Sequence, residues 1–244
     1  MELNICHLYP DLLNVYGDVG NILILKYRAA KRDIDVNVYN VSLNDSFKAE
    51  DYDIVFFGGG QDYEQSIVSD DLIQTKKDEI TKYIEGSKVF LSICGGYQLL
   101  GKYYTTPDGE KLDGLGILDI RTDGGDTRFI GNTVIKNEET GDTIVGFENH
   151  SGRTHIHDLR PLGKVVVGFG NNGFDGYEGV TYKNTYGTYF HGSLLSKNPK
   201  FADKLIKAAL ELKYGPVELK PLDDEFELKA KEFIIDRENR KSQK

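Results

Sequence analysis

Cys94 stands where a run of β-branched and aromatic residues, Lys88-Val89-Phe90-Leu91-Ser92-Ile93, gives way to Gly95-Gly96-Tyr97-Gln98-Leu99-Leu100. That pattern predicts a buried strand turning sharply into a helix, with the thiol at the turn. A nucleophile placed there is held clear of the sheet, and the glycines after it let a substrate approach the backbone without meeting a Cβ atom. The helix N-terminus behind the sulfur favours the thiolate, which is the form that attacks a carbonyl carbon. A free cysteine is most often a small buried apolar residue, and that reading fits Cys6. A core residue has no use for two following glycines, so Cys94 is read as a nucleophile for acyl transfer.

Acyl transfer also needs a base and a place for negative charge. Tyr186-Gly187-Thr188-Tyr189-Phe190-His191-Gly192 puts a histidine at the end of an alternating strand, just before a glycine. Among the five histidines, His191 has this setting, and it is preferred as the base to His7, His150, His155 and His157. A second buried run, Asp53-Ile54-Val55-Phe56-Phe57, ends in Gly58-Gly59-Gly60-Gln61-Asp62. Ligands of parallel α/β sheets sit beyond the carboxyl ends of strands, and a glycine loop there can aim N–H groups at developing charge. The amides of Gly60 and Gly95 are therefore the expected oxyanion hole, a tight turn being the structural alternative for the glycine run.

Two further patterns carry no chemistry. His150, His155, His157 and Asp158 are close in sequence, but no motif such as H-E-x-x-H organises them, and no metal is expected. The stretch from Gly96 to Lys102 matches the phosphate-binding G-x-x-x-x-G-K, but Tyr103 replaces the Ser or Thr that would hold magnesium. The segment reads as helix interior, so no nucleotide site is expected on this chain.

The elements that must hold these residues alternate through the first hundred positions. Strands are predicted at 3–8, 36–41, 54–57 and 89–93, with an amphipathic helix over 21–33 capped by Asp18 or Asn21 and another over about 70–85 that closes on Gly86. From 103 to 189 the pattern changes to β hairpins, with a turn at Pro107-Asp108-Gly109, and helical spacing returns over 199–214 and 223–240. The fold class is thus α/β: a central, mostly parallel sheet flanked by helices, with added antiparallel hairpins. One domain is expected over 1–244, including a charged helical C-terminal segment from about 199 to 244. The net charge of −9 disfavours a nucleic-acid partner. Two cysteines are too few for a disulfide framework, and neither a signal peptide nor a membrane span is evident, which points to the cytoplasm.

The segments Phe56-Phe57-Gly58-Gly59-Gly60, Ser92-Ile93-Cys94-Gly95-Gly96-Tyr97-Gln98 and Tyr189-Phe190-His191-Gly192 together resemble class I glutamine amidotransferases of the cobyric acid synthase type. Within that group, Leu13-Asn14-Val15-Tyr16-Gly17-Asp18-Val19-Gly20-Asn21, Gly114-Leu115-Gly116-Ile117-Leu118-Asp119 and the stretch from Val145 to Thr154 are similar to the glutaminase subunits of lipid II isoglutaminyl synthases. The resemblance implies a subunit that releases ammonia from L-glutamine and passes it to a Mur-ligase-like partner, MurT. That partner would use ATP and magnesium to amidate D-isoglutamate of the lipid II stem peptide in peptidoglycan synthesis. It further implies that Arg128 holds the glutamine substrate, a role suited to a guanidinium facing a carboxylate. Many class I enzymes place a glutamate two residues after the histidine, where this chain has Ser193. The orienting acid is left open between Asp18, Glu148, a partner carboxylate and none. A cobyrinate-amidating glutaminase and a glutamine-binding subunit without catalysis are the alternative functions.

Overall fold

The computed structural model describes residues 1–242, and the last two positions of the charged 199–244 segment lie outside the described residues. The chain opens with β1 (Glu2–Leu8), crosses α1 (Gly20–Ala30) and returns as β2 (Asp35–Val41), parallel to β1. β3 (Ile54–Phe57), whose four side chains are all buried, pairs with the other edge of β1. α2 (Asp62–Asp71) starts just past the glycine run and continues through a π turn at Leu72–Lys76 into α3 (Lys77–Glu85). β4 (Val89–Ile93) pairs with β3 and leads into the short helix α4 (Gly95–Leu99).

Three local expectations are corrected. The helix expected over 70–85 begins at Asp62, because the π turn breaks the 3.6-residue period on which its first half would have been seen. The turn carries Lys76 inward to pair with Asp71 (2.5 Å), which also accepts the Tyr9 hydroxyl (2.6 Å). Neither Asp18 nor Asn21 caps α1 with its side chain; the Val19 amide is instead bonded by Asn14 Oδ1 at 2.9 Å. The stretch from Gly96 to Tyr103 is not helix interior: α4 ends at Leu99, and Gly101 is packed so closely on Ile120 that a Cβ would lie 2.5 Å from its Cγ1.

β5 (Tyr103–Thr105) and β6 (Lys111–Asp113) form the hairpin signalled by residues 107–109, with Gly109 at φ 92°. The long strands β7 (Arg121–Lys136) and β8 (Thr143–His155) follow, then β9 (Gly163–Val167) and β10 (Tyr177–Glu178). These six build a second, largely antiparallel sheet rather than isolated hairpins. β11 (Val180–Tyr182) and β12 (Thr185–Thr188) rejoin the first sheet, whose order is β11-β12-β4-β3-β1-β2, with only the edge strand β11 antiparallel. α5 (Pro199–Tyr214) and α6 (Glu225–Ser242) complete the described chain. Among the described residues, no helix is long and apolar enough to cross a membrane. The carboxyl ends of β1, β3, β4 and β12 lie side by side, which brings positions near 9, 58, 94 and 189 to one edge.

Candidate active site

Cys94 ends β4 with φ 48° and ψ −106°, a conformation that L-residues adopt only under constraint. Three backbone bonds hold it: the Cys94 amide to Thr188 O (2.8 Å), the Gln98 amide to Cys94 O (2.9 Å) and the Gly96 amide to Gly58 O (3.1 Å). The first ties the nucleophile strand to β12, so the thiol and the segment carrying His191 share one frame. Cys94 retains 8% exposure, whereas Cys6 is fully buried and burial pushes its thiol well above the ordinary value.

Gly59 is the centre of the site. A Cβ atom there would stand 2.7 Å from His191 Cε1, 3.1 Å from Cys94 Cβ and 3.4 Å from Asp18 Oδ2, so three side chains from distant parts of the sequence converge on one hydrogen atom. His191 is fully buried and anchored by its amide to Phe147 O at 2.9 Å. Its Nδ1 lies 3.1 Å and 3.2 Å from the two oxygens of Asp18, and Asp18 Oδ2 also accepts the Gly59 amide at 3.0 Å. His191 Nε2 is buried without a hydrogen bond of ordinary geometry. Burial alone would drive the ring neutral; the charge of Cys94, hydrogen bonding to Asp18 and Cys94 and the charge of Asp18 overcome it, raising the pKa to about 10. With Nδ1 against the carboxylate, Nε2 is the ring nitrogen that remains without a hydrogen-bond partner among the described residues.

Of the two acids of this chain left open by the sequence, Asp18 is the one that lies against His191. Glu148 is bound elsewhere, accepting the amides of Phe169 (2.8 Å) and Gly170 (3.0 Å). The loop from Leu12 to Asn21 delivers Asp18 by lying against the glycine run: the Val15 amide bonds Gly59 O (3.1 Å), and a Cβ on Gly58 would meet Leu13 O at 2.2 Å. Tyr16, at φ 55°, sets its ring edge-on to His191 with centroids 4.9 Å apart.

The amides of Gly60 and Gly95 find no acceptor among the described residues. Gln65 of α2, 2% exposed, rests against Gly95 and donates Nε2 to Gly60 O (3.4 Å). Arg128 is exposed on β7 and donates Nε to Asn149 Oδ1 (2.6 Å); none of its hydrogen bonds involves Cys94, His191 or Gly60. His150 stacks on Tyr189 with centroids 3.5 Å apart, and the Tyr189 hydroxyl meets Gln98 Nε2 (3.1 Å) and Thr154 Oγ1 (2.5 Å). Burial keeps His150 below its ordinary pKa and pushes His7 down to about 4. Among the described residues, no group of three or more His, Cys, Asp or Glu side chains is arranged to hold a metal ion. Asp18 was visible in the sequence as one acid among several; Tyr16 and Gln65 carried no chemical signal, since each gains meaning only from the loop or helix that turns it inward.

The profile of the CobB/CobQ-like glutamine amidotransferase domain matches residues 4–199. The GatD subunit of glutamine-hydrolysing lipid II isoglutaminyl synthase from Streptococcus pneumoniae is 52% identical over 216 residues, covering 88% of this chain and 83% of that protein. Its counterpart from Staphylococcus aureus is 48% identical over 239 residues, covering 98% of this chain and 97% of that one. Among solved structures, a glutamine amidotransferase of Thermotoga maritima superimposes with a TM-score of 0.52 over 95% of this chain and 93% of its own, at 16% identity, a likeness of fold.

Proposed function

Because this chain belongs to the CobB/CobQ-like glutamine amidotransferase family, and within it to the GatD subunits, we propose that it is the glutaminase subunit of a lipid II isoglutaminyl synthase. It hydrolyses L-glutamine to glutamate and ammonia in the cytoplasm. The ammonia goes to a MurT-like, ATP- and magnesium-dependent subunit that amidates D-isoglutamate of the lipid II stem peptide. The convergence of Cys94, His191 and Asp18 on Gly59 carries this reading.

In the chemistry we assign, the Cys94 thiolate attacks the carboxamide carbon of glutamine, and the carbonyl oxygen takes up charge toward the amides of Gly60 and Gly95. The His191 imidazolium gives its Nε2 proton to the nitrogen, the C–N bond breaks and ammonia leaves. Water, giving a proton to the now neutral imidazole, adds to the γ-glutamyl thioester, and collapse returns glutamate and the thiolate. Asp18 holds the ring in register throughout. Arg128, which presents its guanidinium at the surface, takes the carboxylate of glutamine.

Replacing Cys94 with Ala is expected to abolish ammonia release while leaving the melting temperature close to that of the parent protein. Undiminished release by Cys94→Ala would remove the nucleophile assignment.

A further inference from the structure

Gln65 is a buried polar side chain beside the elbow that the reaction above does not use. A Cβ on Gly95 would lie 2.8 Å from Gln65 Cδ and 3.1 Å from its Nε2, so the carboxamide rests directly on the residue that follows the nucleophile. Its orientation is fixed by a neighbour that can only accept: Nε2 must face Gly60 O, at 3.4 Å. The opposite atom, Oε1, is buried and has no hydrogen-bond partner among the described residues. An acceptor taken out of water and left unpaired is costly, and a folded protein keeps one where a ligand supplies the missing donor.

The donors and acceptors around this point form a complementary set. Among the described residues, the amides of Gly60 and Gly95 have no acceptor, and the side chain that touches both residues, Gln65, carries one unpaired acceptor, Oε1. A primary carboxamide offers the reverse: one oxygen that accepts and an NH2 that donates. A carboxylate offers oxygens alone and would set an anion against Oε1. We propose that Gln65 is a specificity-determining residue whose Oε1 accepts an N–H of the substrate carboxamide, selecting glutamine over its own hydrolysis product. The proposal rests on the glutaminase reading above.

The test compares two substrates of one site: glutamine, which has the N–H donors, and the γ-methyl ester of glutamate, which has none. With the partner subunit present, Gln65→Met, which keeps length and volume but loses the strong acceptor, is expected to lower kcat/KM for glutamine about 10- to 100-fold. Ester hydrolysis should change less than about threefold, since it never used that bond. Gln65→Glu, which retains an oxygen acceptor, should recover part of the preference for the amide. Inhibition by glutamate should tighten in Gln65→Met, where the opposing oxygen is gone. Parallel losses on both substrates, or an unchanged rate on glutamine, would overturn the role of Gln65. A parent protein that hydrolyses neither substrate would instead overturn the glutaminase reading.

Discussion

The proton on His191 depends on two neighbours, Cys94, which is acylated in the proposed reaction, and Asp18, which is not. With the folded value raised from 6.5 to about 10, the favourable pairing is complete below the ordinary histidine range and is lost as pH rises through about 10. Asp18→Asn removes the fixed member of the pair. The His191 pKa is expected to fall, read from imidazole resonances in a pH titration, and the glutaminase rate to drop at least about 100-fold. An unshifted titration would show that Asp18 does not support the ring. At this scale the proximity of Cys94 and His191 was expected from sequence because a strand end next to glycine is itself a local pattern. Asp18 was not singled out, since what sets it apart is a contact with a residue 173 positions away.

Elements were legible where period and burial agree. β3 and β4 were readable because they are short, largely apolar runs buried on both faces, whereas β2, mostly exposed at the sheet edge, was readable from its β-branched Val36, Val38 and Val41. The start of α2 was hidden, since its inward face buries Gln65 and Ser69 with Val68, and a π turn then shifts the phase. The glycine run shows the reverse case, in which local reading found the loop but not its reason. Gly58 and Gly60 are required by a second loop crossing them, as the 2.2 Å approach to Leu13 O shows at Gly58, and Gly59 by the side chains that converge on it. Gly58→Ala is therefore expected to destabilise by about 1–3 kcal/mol, measured by denaturant unfolding, because backbone rather than a flexible side chain must give way. It should also impair glutamine hydrolysis by moving the loop that carries Asp18. Unaltered stability would mean that the two loops can separate freely.

At the scale of the whole molecule, the second sheet is coupled to the first through Glu178. This carboxyl, fully buried at the end of β10, accepts the Tyr189 amide (2.7 Å) and the Thr188 hydroxyl (3.0 Å), two and three residues ahead of His191. Burial raises its pKa to about 8, against those hydrogen bonds and with added repulsion from Glu148. A raised carboxyl value means that the folded state holds a proton the unfolded chain has released. Its stabilising effect is present below about pH 4.5 and is lost as pH rises through about 8. Glu178→Gln keeps an acceptor for both bonds and cannot ionise, so its melting temperature should fall less than that of the parent protein over this interval. Equal slopes would place the pH dependence elsewhere. The separation between sulfur and base has a further result during biosynthesis. As the ribosome extends the chain, position 94 emerges long before position 191, and until β12 docks against β4 the thiol has no imidazole to activate it. Under the proposed chemistry, reactivity is thus withheld from the nascent polypeptide and arrives together with the last strand of the sheet.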